Sequence, residues 1–133
     1  MALTSIKSTV GSLKANASLT TAQYTIVKLH TVSGEVVAAG AGDLGIGVLL
    51  NKPAAGAAAE IALINSGGIC TLKVDGSGTA IAVGDTLKSD ASGRGVKGVA
   101  DRDKIIGIAL EASSAANDLI DVLLVSAFER STA

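Results

Sequence analysis

The stretch DLGIGVLLNKPAAGAAAEIAL, residues 43–63, decides the fold because a later stretch repeats its pattern. The later stretch is DKIIGIALEASSAANDLIDVLL, residues 103–124, and it begins 60 positions further on (103 minus 43). Both stretches open with Asp and continue through Ile, Gly, an aliphatic residue and Leu. After one inserted residue, an acidic and two aliphatic residues recur, and SGEVV from Ser33 and SGRGV from Ser92 extend the match upstream. The sequence therefore predicts an internal duplication of hairpin, acidic turn, apolar strand, Ala-rich loop and final strand.

Short apolar runs alternate with glycine-containing turns from about residue 24 onward, which is typical of an all-β barrel or sandwich. The Ala-rich segments 54–59 and 112–118 could each form one helical turn instead. Two repeated units predict a small pseudo-symmetric barrel or sandwich that hides most of its strand edges. The predicted strands are 24–32, 35–39, 45–50, 59–65, 68–74, 86–88, 94–96, 105–111 and 119–126.

Residues 1–22 differ from the rest of the chain and are predicted to form an extended N-terminal arm, followed by a β domain at 23–133. The arm is rich in Ser, Thr, Ala and Asn, with isolated aliphatic residues. Their spacing alternates three and four as on a helix face, but neighbouring Thr, Val and Gly residues are poor helix formers. We expect the arm to become ordered mainly where it touches a partner.

The composition predicts one domain that gains stability by association. A chain of 133 residues is too short for two ordinary domains. Hydrophobic residues make up 48% of it, yet Tyr24 and Phe128 are its only aromatic residues. The core must therefore consist of Val, Ile, Leu and Ala, and contacts with other copies would help so thin a core stay folded.

The charge pattern argues against nucleic-acid and membrane partners. Lys and Arg number 11 against 12 Asp and Glu, and the basic residues are scattered, so no patch favours a phosphate backbone. No apolar run approaches the roughly 20 residues that cross a bilayer. The first residues lack the apolar core of a secretory signal, so we expect synthesis in the cytoplasm.

The residues that could carry chemistry are few, and the sequence predicts no enzyme, no cofactor and no metal site. Gly40, Gly42 and Gly45 satisfy G-x-G-x-x-G, but a strand-like run closed by proline follows, where a dinucleotide site needs a helix. His30 is the single histidine and Cys70 the single cysteine. Strand alternation predicts a polar-face histidine and a small buried cysteine. The aspartates near glycines lack the calcium-loop pattern and are expected to form Asx-turns by hydrogen bonding to their own backbone.

Several motifs between about residues 39 and 125 resemble the decoration, or cement, proteins of tailed-phage capsids. They are a G-V-x-L strand, a turn rich in Ala and Gly, an A-E-[IV] strand, a G-x-x-T-[LV] strand, A-x-x-x-G-D-x-L, and a closing I-G-x-A-L-E-A before a V-x-L strand. In this chain the motifs lie at residues 47–50, 54–59, 60–63, 68–72, 80–87, 106–112 and 121–124. The resemblance implies a homotrimer on the outer surface of the virion, bound to the major capsid protein and clamping neighbouring capsomers.

The arm is the predicted capsid contact. Its isolated aliphatic residues can dock into a partner or add a strand to a sheet edge, and its lysines can meet acidic capsid groups. The alternative is that the arm packs on its own domain or on a neighbouring subunit. The candidate capsid-binding residues are Leu3, Ile6, Lys7, Val10, Leu13 and Lys14.

Two other functions compete with this hypothesis. A small-ligand or glycan-binding β-barrel could use the Gly-rich loops, although the shortage of aromatic side chains disfavours sugar platforms and apolar pockets. An enzyme is the least favoured class, because the single histidine and cysteine have no evident nucleophile, base and orienting partners.

Overall fold

A computed structural model describes residues 9–10, 13–100 and 102–128 of the chain. These residues form eleven β-strands and no helix, so the predicted all-β class is confirmed. The strands are β1 (Thr9–Val10), β2 (Lys14–Ala15), β3 (Ile26–Leu29), β4 (Glu35–Ala38), β5 (Gly47–Leu49), β6 (Ile61–Leu63), β7 (Ile69–Asp75), β8 (Thr86–Ser89), β9 (Gly95–Lys97), β10 (Lys104–Ala109) and β11 (Ala116–Phe128).

The strands divide into two consecutive units. In the first unit, β1 to β6 form a six-stranded sheet in the order β1-β6-β5-β3-β4-β2. In the second unit, β7 to β11 form a closed barrel in the order β10-β11-β7-β9-β8. Both units follow the same path, because the order β6-β5-β3-β4 of the sheet matches β11-β10-β8-β9 of the barrel.

The strand registers confirm the predicted internal repeat. The pairing of β3 with β5 places Ile26 opposite Val48, and that of β8 with β10 places Thr86 opposite Ile108. Each partner in the second pair lies 60 positions after its counterpart in the first. Gly47 lies opposite Leu63 and Gly107 opposite Leu124, which reproduces the single inserted residue seen in the sequence.

The repeat also includes part of the predicted N-terminal arm. Val10 of β1 pairs with Ile61 as Cys70 of β7 pairs with Val122. The parallel pairing of β2 with β4 likewise repeats that of β7 with β9. One seven-residue strand, β7, thus makes the two pairings that β1 and β2 divide between them. The division of the chain at residue 22 stays a prediction.

The core consists of two apolar clusters that share the central strands of the sheet. Neighbouring residues on a strand face opposite sides of the sheet, so Ile26 and Val27 lie in different clusters. Val27 packs inside the first unit with Val36 and Ile61, while Ile26 packs with the interior of the barrel. The centre of the first sheet is therefore buried on both faces, which joins the units into one domain.

Some local predictions need correction. The Ala-rich segments 54–59 and 112–118 are not helical: the first is a turn, and β11 already begins within the second. Strand β3 covers four residues of the predicted run 24–32, because Tyr24 has a positive φ of 67° that breaks the extended conformation.

Candidate functional site

The structure places three of the six candidate capsid-binding residues. Leu3, Ile6 and Lys7 lie outside the described residues, and the side chain of Val10 is likewise not described, although its backbone pairs in β1. Leu13 is half-buried against the core of the first unit, and Lys14 is exposed on β2. Their role in capsid binding stays a prediction.

The described residues after Leu13 are held against the first unit. The Lys14 amide donates to the Gly34 carbonyl at 2.9 Å, and the Leu19 amide donates to the Pro53 carbonyl at 2.9 Å. Ala15 and Leu19 are buried in the core of that unit. Because this segment is bonded to β4 on one side and to residues 56–59 on the other, some of its side chains are buried in the core and others are exposed at the surface.

An aspartate and a lysine mark the same turn in both units. The Asp43 carboxylate accepts a bond from the Lys28 ammonium at 2.7 Å, and Asp103 accepts one from Lys88 at 3.0 Å. The backbone amide three residues before each aspartate donates to the same carboxylate, at 2.8 and 2.9 Å. These carboxylates thus bond to nearby backbone, as predicted, but the bonded amide lies three residues earlier, whereas a predicted Asx-turn is formed by Asp90 with the Ser92 amide at 2.8 Å. The hydrogen bond from Lys28 and that from the backbone hold the pKa of Asp43 below its usual value of 3.8.

The two capped turns face a cavity of about 360 Å³ between the units. Carboxylates and basic side chains line it in equal number, so it presents no net charge to select an anion or a cation. Among its described lining residues none is aromatic, so it offers no stacking platform for a sugar. The charged residues that line it are Asp43, Asp90, Asp103, Lys88, Arg102 and Lys104.

The single cysteine and the single histidine both have structural environments. Cys70 is fully buried, and desolvation, together with the Asp121 carboxylate, raises the pKa of its thiol to about 12. Since a thiolate is the nucleophilic form, this thiol is unreactive near neutral pH. The Nδ1 atom of His30 accepts a hydrogen bond from the Val32 amide at 3.0 Å, which stabilises the turn after β3.

The described part of the chain contains neither a cluster of metal-binding side chains nor a membrane-spanning helix. It contains no cluster of three or more His, Cys, Asp or Glu side chains able to hold a metal ion. None of its segments is a helix long and apolar enough to cross a membrane.

The junction between the units is formed by the turn between β8 and β9. The Gly93 carbonyl in that turn accepts a hydrogen bond from the Ile26 amide at 2.7 Å. Gly93 has a φ of 77°, and a Cβ there would lie 3.0 Å from the Ile26 carbonyl oxygen. Beside it, the Lys73 amide donates to the Tyr24 carbonyl at 2.7 Å. The turn between β8 and β9 of the second unit thus packs against the start of β3 in the first unit.

Sequence reasoning missed the exposed apolar side chains outside the N-terminal segment. Leu29 is the last residue of β3, and Val32 lies in the turn that follows it. Val83 lies in the loop before β8, and Val99 lies in the loop between β9 and β10. These four side chains are between 48% and 71% exposed, although most other large aliphatic side chains in the described residues are buried or half-buried. A comparison of the two repeats would have drawn attention to the turn after β3, because this turn is one residue longer than the turn after β8.

The family of the protein follows from a comparison with family models. The model of the phage cement proteins matches residues 16–124, which is most of the chain. The chain belongs to the phage cement protein family. This cement protein is therefore a structural protein of the phage head and lies on the outer surface of the virion capsid. Members of the family are in general not enzymes.

A solved structure shows the same fold. The base of the head fiber protein gp8.5 of bacteriophage phi29 is similar to the cement protein, with a TM-score of 0.68 and 17% sequence identity. The likeness covers 92% of this chain and 100% of that one. No curated protein matches the sequence.

Proposed function

We propose that this cement protein binds the major capsid protein as a homotrimer and clamps neighbouring capsomers of the expanded head. The observation that carries the proposal is the family match, which spans residues 16–124 and so includes nearly all of both units. Clamping needs no chemistry beyond association. The buried thiol and the turn-bound histidine are compatible with that requirement.

A trimer suits this task because weak contacts add through effective concentration. Once one subunit is bound, its partners meet their own capsid sites at high local concentration, so avidity exceeds each single affinity. Three equivalent contact surfaces on one trimer would bridge adjacent capsomers without any strong individual contact. The aliphatic core, which contains almost no large aromatic side chains, also favours a protein that is stabilised by association.

The capsid contact is assigned to the N-terminal segment that contains Leu3, Ile6, Lys7, Val10, Leu13 and Lys14. Lys14 supports this assignment, since its side chain is exposed on β2 beside Glu35, at the surface of the first unit. The residues that precede β1 would reach a neighbouring protein surface and pair with it in extended conformation.

Binding to capsids that lack the cement protein tests the proposal. Purified protein is added to expanded capsids and to unexpanded capsids, and the bound fraction is measured by co-sedimentation. We expect saturable binding to expanded capsids only, together with a higher melting temperature of the head. Absence of binding to expanded capsids, or binding that leaves the head equally heat-sensitive, would contradict the clamp.

A further inference from the structure

The junction inside the chain joins two unlike surfaces. The turn after β8, residues 90–93, is here called the second tip, and it lies against Thr25, Ile26 and Ala39 of the first unit. Thr25, Ile26 and Ala39 are 4% exposed or less. The tip of the second unit meets the strand start of the first, so the contact is heterologous. The tip of the first unit and the strand start of the second unit take no part in it.

Each surface of this junction has a counterpart that stays open. The first tip, residues 30–34, corresponds to the second tip, with Gly34 in the place of Gly93 and the same left-handed conformation, φ 79° against 77°. A Cβ at Gly34 would meet nothing within 4 Å, whereas Gly93 is packed against Thr25 and Ala39. The Gly34 carbonyl accepts a hydrogen bond from the Lys14 amide of its own chain, but the first tip lacks the packing against a second unit that surrounds Gly93.

The counterpart of the receiving surface lies at one end of the barrel. The positions equivalent to Thr25 and Ala39 are Asp85 and Gly98, and the backbone there repeats that of the first unit. The Gly98 amide donates to the Thr86 carbonyl at 2.9 Å, as the Ala39 amide donates to Ile26 at 3.0 Å. This barrel end, residues 82–86 and 97–100, is further tied by an ion pair between Lys97 and Asp85 at 3.6 Å.

Exposed apolar side chains occur on both open surfaces. Leu29 precedes the first tip and Val32 lies in it, at 58% and 48% exposure, whereas Ser89, the counterpart of Leu29, is buried. Val83 and Val99 belong to the barrel end and are 66% and 71% exposed. The first tip has one residue more than the second, and Val99 is the residue by which the loop of the barrel end exceeds that of the first unit. Each open surface is thus one residue longer than its counterpart and carries exposed apolar side chains.

We propose that the first tip packs on the barrel end of a second copy of this chain, in a position like that of the second tip on the first unit within one subunit. Val32 and Leu29 then cover Val83 and Val99, which removes apolar surface from water. A heterologous contact closes into a ring when its rotation permits, so this interface deepens the homotrimer of the proposed function and rests on it.

Single charged substitutions test the interface. The Val32→Asp and Val99→Lys variants should each sediment as single chains at micromolar concentration, where the unmodified protein sediments as three. Leu44→Asp is the matched control, since Leu44 is 49% exposed and belongs to neither surface; it should leave the mass unchanged. The three changed side chains are all exposed, so circular dichroism should show unchanged folding.

The double variant Val32→Asp with Val99→Lys separates a direct contact from an indirect effect. If the two positions meet, the opposite charges pair and the mass returns to three chains. Chains with both Val32→Cys and Val99→Cys should also form disulfide-linked multimers, whereas Val32→Cys with Leu44→Cys should not. A monomeric unmodified protein, or a Val32→Asp variant that keeps the full mass, would overturn the interface.

Co-sedimentation with expanded capsids distinguishes a wrong subunit interface from a wrong capsid-binding function. If Val32→Asp still forms trimers that bind capsids, the clamp stands and the subunits meet through another surface. If the unmodified protein assembles through the first tip but ignores capsids, the interface stands and the clamp does not.

Discussion

At the scale of single residues, the acidic turns show what a short sequence motif determines. Each aspartate of the pair Asp43 and Asp103 binds a backbone amide three residues earlier, a local contact that the sequence predicted. The lysine that completes each turn lies 15 positions upstream on a neighbouring strand. That partner depends on strand pairing, so it could not be read from the motif alone.

Removal of the second turn carboxylate should destabilise the fold moderately. Asp103 is more protected than Asp43, with its side chain 16% exposed, and its loss leaves both the turn amide and Lys88 without this acceptor. We expect Asp103→Ala to lower the free energy of unfolding by about 1–2 kcal/mol, measured by urea denaturation. Glu60→Ala, at an exposed carboxylate, should change it by less than about 0.5 kcal/mol. Equal losses of unfolding free energy in the two variants would show that the hydrogen bonds of the Asp103 turn do not stabilise the fold.

Acid should weaken the fold through the carboxylates with lowered pKa values. The bond from Lys28 depresses the pKa of Asp43, and bonds from the Ser77 side chain and backbone depress that of Asp75, both below 3.8. The folded state therefore binds fewer protons than the unfolded state just below that pH. The resulting stabilisation is present above the unfolded value and is lost as pH falls through the folded one.

Denaturant unfolding across that acid range measures the effect. The unmodified protein should lose stability steadily below about pH 4. Asp43→Asn has no carboxylate to protonate at this turn, so its stability should fall less steeply with pH. Identical slopes for the two proteins would show that the Lys28 contact contributes nothing to the pH dependence.

At the scale of strands, the sequence predicted the repeat where two side-chain patterns could be compared over more than twenty residues. It did not extend the repeat to β1 and β2, whose segment shares with β7 little more than a Leu-Lys pair at Leu13 and Leu72. The equivalence there is carried by backbone pairing with β6 and β4, and backbone bonds leave little trace in residue identity.

The paired glycines of β5 and β10 test how closely the units share their geometry. A Cβ at Gly47 would overlap the Ala62 carbonyl oxygen, and one at Gly107 would lie 2.9 Å from the Leu123 carbonyl oxygen. We expect Gly47→Ala to lower the free energy of unfolding by about 1–3 kcal/mol, and Gly107→Ala by less. The control is Gly78→Ala, which meets nothing within 4 Å and should be close to neutral. Thermal unfolding of the three variants measures the order. A larger loss of stability in Gly107→Ala than in Gly47→Ala, or a loss in Gly78→Ala as large as either, would contradict the prediction.

At the scale of the whole molecule, the resemblance to capsid cement proteins was available from the sequence, but the open surfaces were not. The exposure of Val32 and Val99 depends on where the strand order places their two loops, and that order joins segments that are distant in the sequence. A composition rich in aliphatic residues gives no indication of which few remain outside the core.

Two truncations separate docking by the N-terminal segment from its packing. Removal of residues 2–8 leaves β1 and the buried residues Ala15 and Leu19 in place. This variant should keep its melting temperature within a few degrees and bind expanded capsids at least tenfold more weakly. Removal of residues 2–20 also deletes that core and should cost several kcal/mol of stability. A folded 2–8 deletion that binds capsids normally would move the contact to another surface.

The position of Tyr24 gives the molecule an intrinsic optical reporter. The chain has no tryptophan and a single tyrosine. That tyrosine lies where the units meet: its carbonyl accepts the Lys73 amide, and it lines a cleft together with Lys73 and Leu119 of the barrel. Near-ultraviolet absorption and emission therefore come almost entirely from one ring at the junction. Stopped-flow fluorescence can thus time the separation of the two units without any added dye.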